Sequence, residues 1–148
     1  MNMEKDIKEL LIVSIEKVQK SIDSTIEAVE RAKGFDAFKA NNYDEQAPFD
    51  VLASRFTRAV EVCLKFFRTY ELYTARVASD TIRDRLLNME KLDLISNTDL
   101  WLDMRDVRNR VVHDYLPEEV RKTFDLIISV YFKELSELKN KVSILKFE

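Results

Sequence analysis

The chain has 148 residues, 46% of them hydrophobic and 34% charged, which suits one domain with a sizeable core and excludes a disordered segment. It carries one glycine and two prolines, too few turn residues for a sandwich or barrel, so a few long helices are expected. The net charge of −3 excludes a nucleic-acid binder that relies on its whole surface, so any RNA contact needs a local basic patch.

A first amphipathic helix is expected over about 3–33. Leu11, Ile15, Val18, Ile22, Ile26 and Val29 recur at helical spacing and form one stripe. Gly34, the sole glycine, suits a left-handed cap after it. Residues 35–47 have no clear period and read as a loop, with room for a helical turn near Phe35–Ala40. Pro48 fits the first turn of a second helix, roughly 48–77. There Leu52, Phe56, Ala59, Cys63, Phe66, Tyr70 and Tyr73 make a near-heptad seam. Cys63 on that seam reads as a small core residue, and a lone cysteine allows no internal disulfide and no cysteine-based zinc site. Glu61 lies beside the seam, solvated or holding an arginine of another helix.

Ser79 or Asp80 is expected to cap a third helix, about 80–92. Asn97 and Thr98 open a fourth, about 98–114. Pro117 opens a fifth, about 117–145, whose stripe is Val120, Phe124, Ile127, Tyr131, Leu135, Leu138 and Val142. The connections are short, so an all-α, up-and-down bundle of four to five helices is expected, as a single domain over 1–148. With no signal-peptide pattern and no long apolar run, a cytoplasmic protein is expected.

The chemistry concentrates in Trp101–Tyr115, WLDMRDVRNRVVHDY, which holds the only tryptophan and the only histidine. On a wheel of 100° per residue, Leu100, Met104, Val107 and Val111 share a bundle-facing side. Arg105, Arg108, Asn109 and His113 fall roughly opposite, mixed with Trp101, Leu102 and Val112. Apolar residues around convergent polar groups suit a cleft or a subunit interface, so a homodimer through this face is expected. The bland alternative packs Trp101 and Leu102 under the third helix. His113 is the one side chain suited to proton transfer near neutral pH, and the arginines offer fixed forks for phosphate. Arginine plus histidine without a metal ligand set is enough for transesterification of RNA.

At Arg108-Asn109-Arg110-Val111-Val112-His113-Asp114-Tyr115 the sequence resembles the R-x-x-x-x-H-x-Y signature of the HEPN superfamily, HepT-like group, with Asn109 after the arginine as in the common form. Trp101, Arg105 and Asp106 are similar to the upstream part of the related nucleotidyltransferase substrate-binding proteins. Glu61 followed by Val-Cys-Leu-Lys resembles the matching helix of that group, and the likeness runs from about residue 50 to 140. The resemblance implies a helical bundle that dimerises so that two Arg/His motifs form one cleft. It implies a toxin of a toxin–antitoxin pair, a metal-independent endoribonuclease needing no cofactor, with Arg108 and His113 catalytic and Asn109, Arg105 and Glu61 supporting them. The implied partners are an RNA substrate and a small nucleotidyltransferase antitoxin of the MNT type, which can adenylylate Tyr115. The chain has neither a Gly-Ser turn nor a D-x-D pair, so that transfer needs an enzyme in trans. The alternative is a non-catalytic subunit that presents substrate to a separate nucleotidyltransferase.

Overall fold

A computed structural model describes residues 3–147. Helix α1 (Met3–Arg31) packs on α2 (Tyr43–Ala75). Short α3 (Ile82–Lys91) leads to α4 (Thr98–Arg110) and a 3-10 turn, Val111–His113. Then α5 (Pro117–Leu126), a π-helical turn at Ile127–Tyr131 and α6 (Phe132–Ser143) run on as one rod. The expected all-α bundle is what the chain forms, with no strand among the described residues.

Cross-contacts fix the directions. The Arg55 guanidinium reaches the Ser24 carbonyl while Arg76 pairs with Glu4, so α1 and α2 run antiparallel. Phe67 meets Trp101 edge-on at 4.9 Å, and further toward the start of α2 Thr57 shares a groove with Val111. Helix α4 therefore runs back along α2. Phe49 and Phe124 flank Phe35, and Phe56 stacks on Tyr131, so the last rod runs parallel to α2.

The three long stripes read from the sequence are the core. Leu11, Val18, Ile22 and Val29, then Leu52, Phe56, Ala59, Cys63 and Phe66, then all seven residues from Val120 to Val142 are buried. The last stripe steps by four twice, at Ile127, Tyr131 and Leu135, across the π turn. One extra residue in a helix turn shifts its phase, and the paired four-residue steps keep the stripe facing inward. Cys63 is wholly buried, and burial raises its thiol pKa.

Two expected boundaries move. Helix α2 begins at Tyr43, not at Pro48, which lies inside it. Asn42 caps it by accepting the Glu45 N–H at 2.9 Å, and Glu45 accepts the Asn41 N–H at 2.8 Å. This capping pair starts the helix before Pro48, which then lies in its second turn and withholds one backbone donor. Helix α3 is capped by Thr81, which accepts the Asp84 N–H at 3.1 Å, rather than by Ser79 or Asp80. Ser79 instead serves Glu71, a buried carboxylate that accepts from the Ser79 N–H at 2.6 Å, Asn88 at 2.7 Å and Arg85 at 3.3 Å. Burial alone would raise the Glu71 pKa, but the donors from Ser79, Asn88 and Arg85 outweigh it and hold it below the ordinary range. No helix among the described residues is long and apolar enough to cross a membrane.

Candidate functional site

Helix α4 starts as the sequence predicts. The Asn97 side chain accepts the Leu100 N–H at 2.9 Å, and Glu90 accepts the Thr98 N–H at 2.8 Å. The inward side differs from the wheel. Trp101, Met104, Val107 and Val111 are buried, whereas Leu100 is only half-buried. Trp101 therefore belongs to the core, not to the polar face. Its indole N–H donates to Glu134 at 2.7 Å, and Ser96 donates to the same carboxylate through its N–H and hydroxyl. A buried indole N–H needs a partner, and Glu134 supplies one only on this side of the helix. An interface built on Trp101 is thereby excluded; Arg105 and Arg108 remain half-buried, and Asn109 and His113 exposed.

The α-helix also ends earlier than the expected residue 114. After Arg110 the chain tightens into the 3-10 turn, and the Asp114 N–H closes it on the Val111 carbonyl at 3.1 Å. Asp114 anchors the turn to α5. Its carboxylate accepts the Thr123 hydroxyl at 2.6 Å, and Arg110 reaches both, Thr123 at 3.2 Å and Asp114 at 3.4 Å. Val111 is buried beneath. The residues between these anchors point outward: Val112 is 64% and Tyr115 82% exposed. His113 is exposed and makes no hydrogen bond or ion pair among the described residues.

Arg108 uses one edge of its guanidinium on its neighbour. Nε and Nη2 donate to Asn109 Oδ1 at 3.1 and 2.8 Å, which leaves Nη1 free for an acceptor. Glu61 is exposed and pairs with no arginine among the described residues; Glu71 is a carboxylate of α2 that holds one. Glu61 and Arg108 do come together, as two walls of a recess of about 420 Å3 between α2, α3 and α4. A larger groove of about 860 Å3 lies at the other end of the α2–α4 contact. Asn41, Tyr43, Gln46, Asp50, Val112 and Tyr115 are among its walls. Partial burial raises the Asp50 pKa. The Thr57 hydroxyl, also on this groove, is shielded from solvent and has no hydrogen-bond partner among the described residues.

Within one chain the signature is thus divided. Arg108 faces the small recess, Tyr115 faces the large groove, and His113 stands on the turn between them and lines neither. No group of three or more histidine, cysteine, aspartate or glutamate side chains among the described residues is arranged to hold a metal ion.

Residues missed from the sequence are Glu71, Glu134 and the Asp114–Thr123 pair.

A family model described as nucleotidyltransferase substrate binding protein like matches residues 13–144, from within α1 to the end of α6. A search of curated proteins finds no match.

Proposed function

Because the chain belongs to the family of nucleotidyltransferase substrate binding protein-like proteins, we propose that it is the helical partner of a separate nucleotidyltransferase and, within that pair, a HEPN-type, HepT-like endoribonuclease toxin. The observation that carries this reading is the turn after α4. Asp114, Thr123 and Arg110 fix it, while His113 and Tyr115 are left exposed. A histidine kept only for packing or capping would have a partner. This one has none among the described residues, and a positioned imidazole is suited to general acid–base work.

In that chemistry a 2′-oxygen of RNA attacks the adjacent phosphorus and the bond to the 5′-oxygen breaks. His113 takes the 2′ proton or gives one to the departing oxygen. The free edge of Arg108 stabilises the charge on the phosphorane. The products are a cyclic phosphate and a 5′-hydroxyl, with no metal required. Since Arg108 borders the small recess and His113 stands apart from it on the turn, a second copy placed across α4 would bring one protomer's arginine beside its partner's histidine.

Tyr115 suits the role of switch. Its phenol is exposed and placed two residues from His113. A nucleotidyltransferase acting in trans would join it to the α-phosphate of a nucleoside triphosphate, releasing pyrophosphate. The added nucleotide would set bulk and negative charge beside the place an RNA phosphate must occupy.

The test is RNA cleavage and growth inhibition by the intact chain and by His113→Ala. The expected result is that the variant loses both while its circular dichroism and oligomeric state are unchanged. Equal toxicity in the variant would refute the nuclease assignment. The large groove favours a second reading, a subunit that holds a small polar substrate for the nucleotidyltransferase. Its 860 Å3, walled by amides, two carboxylates and two tyrosines, is of ligand-binding size. That reading predicts intact function in His113→Ala and loss in Asp50→Asn.

A further inference from the structure

On α2, Arg58, Glu61, Lys65 and Arg68 are spaced 3, 4 and 3 residues apart, which sets them on one face of the helix, and all four are exposed. The three cations make no ion pair among the described residues, unlike Lys20, Arg31, Lys33 and Arg76, each of which has a carboxylate partner. Lys65 and Arg68 border the same recess as Arg108. Arg105, one turn before Arg108 and half-buried, is likewise without an ion pair. Arg85 also lines the recess but is committed to Glu71.

The acidic residues of α4 lie elsewhere. Burial raises the Tyr131 pKa, the charge of Asp103 adds to that, Arg110 opposes it, and Asp106 adds again. Asp103 and Asp106 therefore face the last rod, away from the recess. At the recess Arg108 joins Lys65 and Arg68, whereas Arg110 is committed to Asp114 and Thr123 and Asp99 pairs with Arg83 of α3. In a chain of net charge −3, this is the local basic patch that contact with RNA requires.

We infer that Lys65 and Arg68, with Arg108, form a track for the phosphates of single-stranded RNA flanking the cleavage point. The inference rests on RNA being the substrate. Helix α4 runs antiparallel to α2, so a strand laid along their contact passes the recess first and the His113 turn next. Glu61 stands between Arg58 and Lys65 on that face. The role of Lys65 and Arg68 is positioning: they hold phosphates that do not react.

The experiment uses the full chain with His113→Ala, so that RNA is bound and not consumed. Binding of a fluorescent single-stranded oligoribonucleotide is followed by anisotropy between 50 and 200 mM salt. Lys65→Glu with Arg68→Glu should weaken binding about a hundredfold, near tenfold for each lost contact. The log–log salt slope should become less negative by roughly 1.4, about 0.7 for each phosphate released. Lys17→Glu with Lys122→Glu makes the same charge change on α1 and α5 and should alter affinity less than threefold. In the chain with His113 intact, the α2 double variant should raise KM for cleavage and leave kcat within twofold. If RNA binds and the α2 variant binds it equally well, or if both double variants weaken it equally, the track is refuted while the nuclease reading stands. If the parent chain binds no RNA at any salt, the substrate assignment itself fails and takes the track with it.

Discussion

Replacing Asp114 by alanine tests whether the His113 turn is held by the pair the structure places beneath it. The Asp114 side chain is 5% exposed and accepts the Thr123 hydroxyl at 2.6 Å; Thr123 is fully buried. Removing the carboxylate leaves that hydroxyl short of its acceptor, which costs about 1–3 kcal/mol. The Arg110 side chain is 45% exposed, so losing its pair adds only about 0.2–1 kcal/mol. A total near 2 kcal/mol corresponds to a fall in Tm of roughly 4–8 °C for a domain of this size. Thr123→Val removes the other partner at nearly constant volume. In a double-mutant cycle followed by urea denaturation, the pair should show a coupling of about 1 kcal/mol or more. Asp114→Ala should also lower RNA cleavage more than its stability loss explains, because the backbone between His113 and Tyr115 is no longer fixed. Losses that add to within about 0.3 kcal/mol, with cleavage unchanged, would refute the anchoring argument.

Glu71 should give the protein a steep acid limb. Its donors hold the folded pKa below the ordinary 4.5, so the stabilisation is fully present above that value and is lost as pH falls through the folded pKa. Glu71→Gln should be less stable than wild type at pH 7, and the gap should narrow below pH 4 in denaturation curves; a constant gap would contradict the assignment. Trp101→Phe keeps the ring contact with Phe67 but strips one donor from Glu134, which should cost about 2 kcal/mol in urea unfolding, and Glu134→Gln should recover part of it. Tyr115→Phe should leave stability within about 0.5 kcal/mol, since the side chain is 82% exposed. On co-expression with a cognate nucleotidyltransferase, intact-mass analysis should find an added nucleotide on the wild-type chain and none on Tyr115→Phe; equal modification of both would move the acceptor elsewhere.

Much of this fold is legible because three helices are long enough for their period to be unambiguous. Every residue of the Val120–Val142 stripe is buried, whereas the π turn leaves no mark in the spacing, since the continuous helix α1 shows the same paired four-residue steps at Val18, Ile22 and Ile26. Helix α4 is harder to read, having only 13 residues with apolar side chains on more than one side. Periodicity finds the helix but cannot choose which side turns inward. Glu134, 33 residues further on, makes that choice by accepting the Trp101 N–H. The same blindness hid Glu71, because a glutamate in mid-helix reads as solvated until its donors are known. The start of α2 was missed for a different reason: Pro48 outweighed Asn42 and Glu45, although their three-residue spacing is a helix-start signal in its own right. At the site, Arg108, Asn109, His113 and Tyr115 are all at least partly accessible, but the separation of Arg108 at one recess from Tyr115 at the other depends on the 3-10 turn. No residue pattern announced that turn.

That turn determines what the motif can do. Had α4 continued as an α-helix, His113 would stand one turn above Asn109 on the same face. Tightening to three residues per turn rotates His113 away from that face and ends the helix in time for Pro117 to start the next. Asp114, in extended backbone, leads the chain out of the turn while holding Thr123, so the imidazole on one side of it and the phenol on the other share one anchor. A nucleotide added to the phenol would stand two residues from the imidazole, on a backbone tied down at Asp114. On the proposed reading, the Asp114–Thr123 contact serves catalysis when Tyr115 is bare and inhibition when it is modified. Loosening it should therefore weaken both cleavage by the free chain and neutralisation by the nucleotidyltransferase.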